Sequence, residues 1–241
     1  MTTLPPGISL QGRRVLVTGA ANGIGRATAG VLGSLGATVV ATDRSPLADV
    51  TAALRCETIE GDLTDNAFRA SLFAGPRLHA VAHCAGVLSG RPWREDEAWQ
   101  ERFHRTMDVN VRVPLELGAE AIDHMAGHGG GYLVLVGSVA GKTGGTSPST
   151  PPDYAASKGA VHTLVKWLSR NAVGRGVMVN AVAPGPVDTA MTRGFGMTES
   201  LPLKRLGRAE EIAWPIAFLC SAGASYMSGA ILDVNGGAFV G

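Results

Sequence analysis

The thirty residues from Arg13 to Thr42 restrict the fold more than any other stretch of the chain. Arg13 to Thr18 reads as a short buried strand around Val15-Leu16-Val17, and the turn Gly19-Ala-Ala-Asn22-Gly23-Ile24-Gly25 follows at once. A helical pattern then runs to about Leu35, with Ile24, Ala27, Val31 and Leu35 on one side, until Gly36 stops it. Thr38 to Thr42 is a second strand, so the segment is a βαβ unit, which commits its strands to a parallel sheet.

The alternation continues to the end. Further strands are expected at Cys56–Glu60, Leu78–Ala82, Gly131–Gly137, Val177–Val182 and Ala230–Val234. Between them lie a helix capped by Thr64 or Asp65 and running to about Ala74, a long helix from about Glu97 to Ala126, one starting near Asp153, and one over Ala209–Leu219. The stretch from Thr189 to Leu206 has little periodicity and reads as a flap over a substrate. The expectation is a single-domain, Rossmann-like, doubly wound α/β fold with a seven-stranded parallel sheet, spanning residues 1–241.

Composition narrows the partners. A formal net charge of +1 without a basic run leaves no source of attraction to nucleic acid or an anionic membrane. No apolar run reaches about 18 residues and the first residues lack a signal-peptide core, so a cytoplasmic protein is expected. Cys56, Cys84 and Cys220 are odd in number and far apart, which suits small buried residues better than a redox or zinc site. His124 and His128, at helical spacing before three glycines, read as a solvated helix end, and no metal site is expected.

Chemistry-bearing residues cluster at the carboxyl ends of the strands, where open parallel sheets bind ligands. Glycines from Gly19 to Gly25 let backbone approach a pyrophosphate at the start of a helix, whose free N–H groups are donors. Asp43 ends the second strand and can accept hydrogen bonds from both hydroxyls of a ribose, which favours NAD over NADP; Arg44 beside it would suit a phosphate. Asp62 suits an adenine edge or an ordinary turn, and small residues close the fourth strand in His83-Cys84-Ala85-Gly86. Asn110 falls inside a helix, where an asparagine is usually on the surface or a harmless hydrogen-bonder. Ser138 ends the fifth strand, and Tyr154 and Lys158 share one helix face, close enough for an ammonium to bias a phenol toward ionisation.

The ordered set Thr18-Gly19-x-x-x-Gly23-x-Gly25, Asp62, Ala85-Gly86, Asn110, Ser138, Tyr154-x-x-x-Lys158 and Pro184-Gly185 resembles the short-chain dehydrogenase/reductase family from about Leu10 to Gly237. The resemblance implies Tyr154 as catalytic acid/base, Lys158 as the partner that lowers its pKa and holds the nicotinamide ribose, and Ser138 as the donor that orients the substrate oxygen. It implies that Asn110 kinks its helix to hold a water for proton relay. It also implies dinucleotide contacts from Gly19, Asn22, Gly23, Ile24, Gly25, Asp43, Arg44, Asp62, Leu63, Ala85, Gly86, Tyr154, Lys158, Pro184, Gly185, Val187 and Thr189.

Two departures from the family pattern stand out. His83-Cys84 replaces an Asn-Asn pair, so the sheet-stabilising hydrogen bonds of those asparagines must be made otherwise. The bridge from Ser138 to Tyr154 is about three residues longer than is common and stiffened by Pro148, Pro151 and Pro152, either reshaping the pocket entrance or forming a neutral bulge. The expected activity is NAD-dependent interconversion of a small or medium secondary alcohol and its ketone, with Trp93 a candidate pocket wall. Alternatives are reduction of a 3-oxoacyl or polyketide carbonyl with NAD(P)H, and a non-catalytic dinucleotide sensor or scaffold. The resemblance further implies a homotetramer, or a dimer, with the apolar face at Trp167 and Leu168 as a contact.

Overall fold

The structure, a computed structural model, describes residues 6–54, 56–88, 97–146, 150–192 and 201–241. Trp93, Pro148 and the middle of the flap, 193–200, lie outside the described residues. Seven parallel strands make one sheet: β1 (Arg14–Thr18), β2 (Thr38–Asp43), β3 (Glu57–Glu60), β4 (Ala80–His83), β5 (Gly131–Val136), β6 (Val177–Pro184) and β7 (Ile231–Val234). Their spatial order is β3-β2-β1-β4-β5-β6-β7. The order reverses between β1 and β4, and a crevice at their carboxyl ends follows from that reversal.

Helices cover both faces: α1 (Gly23–Ser34), α2 (Ala48–Leu54), α3 (Asn66–Ser71), α4 (Trp99–Met107), α5 (Val113–Gly127), α6 (Ala140–Thr143), α7 (Pro152–Ala172) and α8 (Ala209–Leu219). Alternation along β1 divides the core. Val15 and Val17 face Leu32, Ile212 and Ile216 of α1 and α8, while Leu16 faces Leu117, Met125 and Leu168 of α5 and α7. Among the described residues no helix is long and apolar enough to cross a membrane.

Three sequence expectations change. The long helix read from periodicity is interrupted by a π turn over Asp108–Arg112 that separates α4 from α5, at the Asn110 for which the family resemblance implies a kink, and Asn110 is 2% exposed rather than on the surface. Leu168 belongs to the core, whereas Trp167 is 54% exposed, so the two do not share one outward face. His124 is not at a solvated helix end: its Nε2 accepts the Leu78 N–H at 3.0 Å, tying α5 to the start of β4. Two short helices, α2 and α6, the latter in the bridge from Ser138 to Tyr154, add to the elements read from sequence; each has fewer than two full turns of pattern to betray it.

Candidate functional site

Glycine shapes the crevice. At Gly19, with φ of 67°, a Cβ would lie 2.7 Å from the backbone of Ala85, and at Gly25 it would meet the Gly19 carbonyl oxygen at 2.1 Å. The turn is therefore closed by backbone alone. Asn22 caps α1 in an extended conformation without a side-chain hydrogen bond, and no acidic residue occupies the first turn. The positive end of α1 and its N–H groups at Gly23, Ile24 and Gly25 are left to an anion. Thr189 closes this turn from the far side, 3.1 Å from where a Cβ of Gly23 would be.

On one side of the turn a cavity of about 110 Å³ is lined by Gly19, Asp43, Arg44, Asp62, Leu63, Ala85 and Gly86. The Asp43 carboxylate is held by the backbone, accepting the Ala21 N–H at 3.0 Å and the Ser45 N–H at 2.9 Å. One Asp62 oxygen accepts the Thr64 N–H and hydroxyl, each at 2.9 Å, as a turn aspartate does, and Asp62 is also part of the cavity wall. These bonds from Thr64, with Arg44 and Arg105 nearby, hold its carboxyl below the usual range against the opposing effect of burial.

A second cavity of about 90 Å³ shares Gly86 as a wall and gathers Ile24, Ser138, Tyr154, Lys158, Pro184, Gly185, Val187 and Thr189. Cys84, Val136, Gly137, Met191 and Thr192 complete its lining; none was named as a site residue from sequence, although Cys84 is among the small residues closing the fourth strand and Met191 and Thr192 lie in the expected flap. Adjacency to Gly86, Ser138 and Thr189 was the further signal for them. Burial pushes the Tyr154 phenol up, and its hydrogen bond with Ser138 works in the opposite direction. Burial brings Lys158 down to about 8. Its Nζ donates to the Val136 carbonyl at 2.8 Å and lies 5.8 Å from the centre of the Tyr154 ring. The protein's own groups thus leave the phenol protonated at neutral pH, with an ammonium close by.

Asn110 reaches this crevice through the π turn. Its Oδ1 accepts the Val87 N–H at 2.8 Å, and its Nδ2 donates to the Val87 carbonyl at 2.9 Å and to Ser157 Oγ at 3.1 Å. The side chain pins the strand end after Gly86 to α7, one residue before Lys158. A Cβ on Gly86 would be 3.3 Å from Asn110 Oδ1 and 3.5 Å from Lys158 Nζ.

His83 supplies the link expected of the family asparagine. Its Nδ1 shares a hydrogen bond of 2.9 Å with Thr18 Oγ1, which also accepts the Ala85 N–H at 3.3 Å, so β1 and β4 are laced together beneath the crevice. Burial lowers the imidazole to about 3, keeping it neutral. Cys84 turns to the other side of the sheet, 3.9 Å from Thr28 Oγ1, its thiol raised to about 12 by burial. Among the described residues no cluster of three or more potential metal ligands occurs.

Glycine contacts with no room for a Cβ, a helix end without an anion of its own, and two cavities sharing Gly86 fit an extended dinucleotide. Fold and crevice therefore define a nucleotide-binding oxidoreductase of the Rossmann-like class. A family model described as enoyl-(acyl carrier protein) reductase matches residues 19–238. The chain is 33% identical to a 3-oxoacyl-(acyl-carrier-protein) reductase of Pseudomonas aeruginosa, over 97% of its length and 100% of that protein. It is 36% identical to a cis-4-hydroxycyclohexanecarboxylate dehydrogenase of Sinomonas cyclohexanicum, over 93% and 96% respectively. A solved putative NAD(P)-dependent gluconate 5-dehydrogenase from Beutenbergia cavernae, with NADP bound at low occupancy, superposes with a TM-score of 0.90 at 33% identity, covering 97% of this chain and 99% of that one. The chain belongs to the short-chain dehydrogenase/reductase family and is an oxidoreductase acting on CH–OH groups.

Proposed function

We propose that the chain, acting as one dinucleotide-binding and catalytic domain, interconverts a small or medium neutral secondary alcohol and its ketone with NAD(H). The observation that carries this reading is the convergence of Ser138, Tyr154 and Lys158 on one cavity whose described lining has no other charged group. A neutral substrate suits such a wall; an anionic one would call for a further cation or donor cluster. The dehydrogenase from Sinomonas cyclohexanicum supports the cyclic alcohol and not the neutral charge, since the substrate in its name is a carboxylate.

When bound, the dinucleotide exchanges a hydride with the carbinol carbon. The protein's share is positioning and the proton. Ser138 Oγ donates to the substrate oxygen; Tyr154 Oη, ionised where the charge of an oxidised nicotinamide would add to that of Lys158, takes the hydroxyl proton as phenolate in oxidation and gives it back as phenol in reduction. Lys158 supplies the positive charge that favours the phenolate, and Asn110 fixes the crevice wall through Val87. A bound dinucleotide would be held by Asp43 and Arg44 at the adenosine ribose, by Asp62 and Leu63 at the adenine, by the Gly19–Gly25 turn at the pyrophosphate, and by Ala85, Gly86, Pro184, Gly185, Val187 and Thr189 at the nicotinamide half.

The test is a screen of secondary alcohols with NAD and of ketones with NADH, followed by nicotinamide absorbance, on wild type and Tyr154→Phe. Loss of turnover by about a thousandfold or more in the variant, with NAD affinity kept, is the expected result. Turnover unchanged in Tyr154→Phe would remove the catalytic assignment, and absence of any turnover would favour a sensor or scaffold. The Pseudomonas aeruginosa relative favours a second reading, reduction of a 3-oxoacyl thioester. Faster NADPH oxidation with such a thioester than with any ketone in the screen would select it. For assembly, a homotetramer is proposed, with Trp167 on α7 and Trp214 on α8, 54% and 52% exposed, as contacts; sedimentation as a monomer at micromolar concentration argues against it.

A further inference from the structure

The turn that presents Ser138 is locked onto α7 at two points with no space for a side chain. At Gly137 a Cβ would lie 2.4 Å from His162 Nε2, and at Gly141 it would lie 2.6 Å from the carbonyl carbon of Lys158. Lys158 and His162 are one helical turn apart, so a single face of α7 meets both ends of the Ser138 turn. His162 is 8% exposed. Among the described residues it is also the partner of the Ser138 backbone amide, whose N–H points at Nε2 from 3.5 Å. The neighbouring amides are satisfied elsewhere, Gly137 by Val182 at 2.8 Å and Val139 by Pro184 at 2.9 Å.

We infer that His162 is a positioning residue for Ser138: a neutral imidazole that fills the space opposite Gly137 and accepts the Ser138 amide, fixing the direction of the serine hydroxyl. This rests on the reading of Ser138 as the donor to the substrate oxygen. The ring must be neutral to act as acceptor, and it is. Burial, with Lys142, Lys158 and Lys166 around it and Asp233 opposing them, brings it down to about 4. With Nε2 accepting, the ring proton belongs on Nδ1. A leucine at this position fills a similar volume and offers no acceptor, whereas a glutamine offers a carbonyl.

Two measurements decide it. Long-range nitrogen–proton correlation on the wild-type protein near pH 7 reads the tautomer of His162 without any substrate; a neutral ring protonated at Nδ1 is expected, and one protonated at Nε2 or at both nitrogens overturns the inference. Kinetics on the best alcohol from the screen then compare His162→Leu with His162→Gln. His162→Leu is expected to lose about tenfold in kcat with NAD affinity unchanged, and His162→Gln to stay within about threefold of wild type. Equal losses in both variants, or a loss appearing in NAD affinity, overturn it. A wild type inactive on every alcohol would instead count against the proposed function, and the tautomer would still decide the contact.

Discussion

Lys158 Nζ donates to the carbonyl oxygen of Val136, two residues before Ser138, at 2.8 Å. This bond ties α7 to the end of β5, but it holds an ammonium where burial lowers its pKa from 10.5 to about 8. In that window the unfolded chain binds a proton that the folded one has released, so stability rises with pH from about 8 upward and the full cost of the buried charge is borne below it. Lys158→Met is therefore expected to stabilise the protein by roughly 1–3 kcal/mol near pH 7, while abolishing activity. Urea denaturation near pH 7 and near pH 10 checks this: the gain should shrink at the higher pH, and a less stable variant near pH 7 would contradict it.

Asn110 makes three hydrogen bonds from a position 2% exposed, two of them with Val87. Asn110→Ala leaves both backbone groups of Val87 unpaired at the crevice wall, an expected loss of about 2 kcal/mol. Because Val87 follows Gly86, a wall of both cavities, NAD affinity should fall as well. Thermal melts with and without NAD give both quantities. A lower melting temperature with the NAD-induced shift intact would show that the wall does not depend on Asn110.

Strands were legible where they carry a run of β-branched or apolar residues before a glycine or polar residue; Val15-Leu16-Val17 before Gly19 and Tyr132 to Val136 before Gly137 are clear cases, whereas β3, Glu57-Thr-Ile-Glu60, has only two such residues. The site was legible where chemistry fixes the residue type, as with Gly19, Asp43, Ser138, Tyr154 and Lys158. The π turn was legible only as the kink at Asn110 that the family resemblance implied; the residues alone do not show it, since its one extra residue leaves the polarity pattern from Trp99 to Gly127 almost unchanged and depends on where Asn110 finds Val87 and Ser157. His83 was read only as a departure, because its partner Thr18 is 65 residues away. His162 was not singled out at all: a histidine on a helix acquires meaning only when the glycine opposite it is known.

Asp43 is placed by two backbone amides rather than by a cation, so its charge stays available to the cavity it lines. A 2′-phosphate there would meet that carboxylate, although Arg44 lines the same cavity. Wild type is expected to bind NAD more tightly than NADP, and Asp43→Ala to reverse the preference by lifting the repulsion while Arg44 remains. Titration calorimetry with both dinucleotides measures it. Equal or tighter binding of NADP by wild type would overturn the assignment.

Arg69 is 2% exposed and fastens the loop bearing Asp62 and Leu63 to α5. It donates to the Leu63 carbonyl at 2.8 Å, to Asn66 Oδ1 at 3.0 Å and to Glu116 at 2.5 Å, and lies 3.5 Å from Glu120. Glu116 keeps a second cation, Arg112 at 2.7 Å. Glu120 is already raised by burial, with Arg69 opposing that effect. Arg69→Ala removes the opposition and leaves a half-buried carboxylate uncompensated, for an expected loss of about 3 kcal/mol near pH 7. A group whose folded pKa is raised loses stability as pH climbs past its unfolded value, so the deficit should be smaller near pH 5 than near pH 7, because lowering the pH favours the protonated form of Glu120. Urea denaturation at the two pH values tests the sign. A deficit that stays the same at both pH values would mean that Arg69 acts through Leu63 and Asn66 alone.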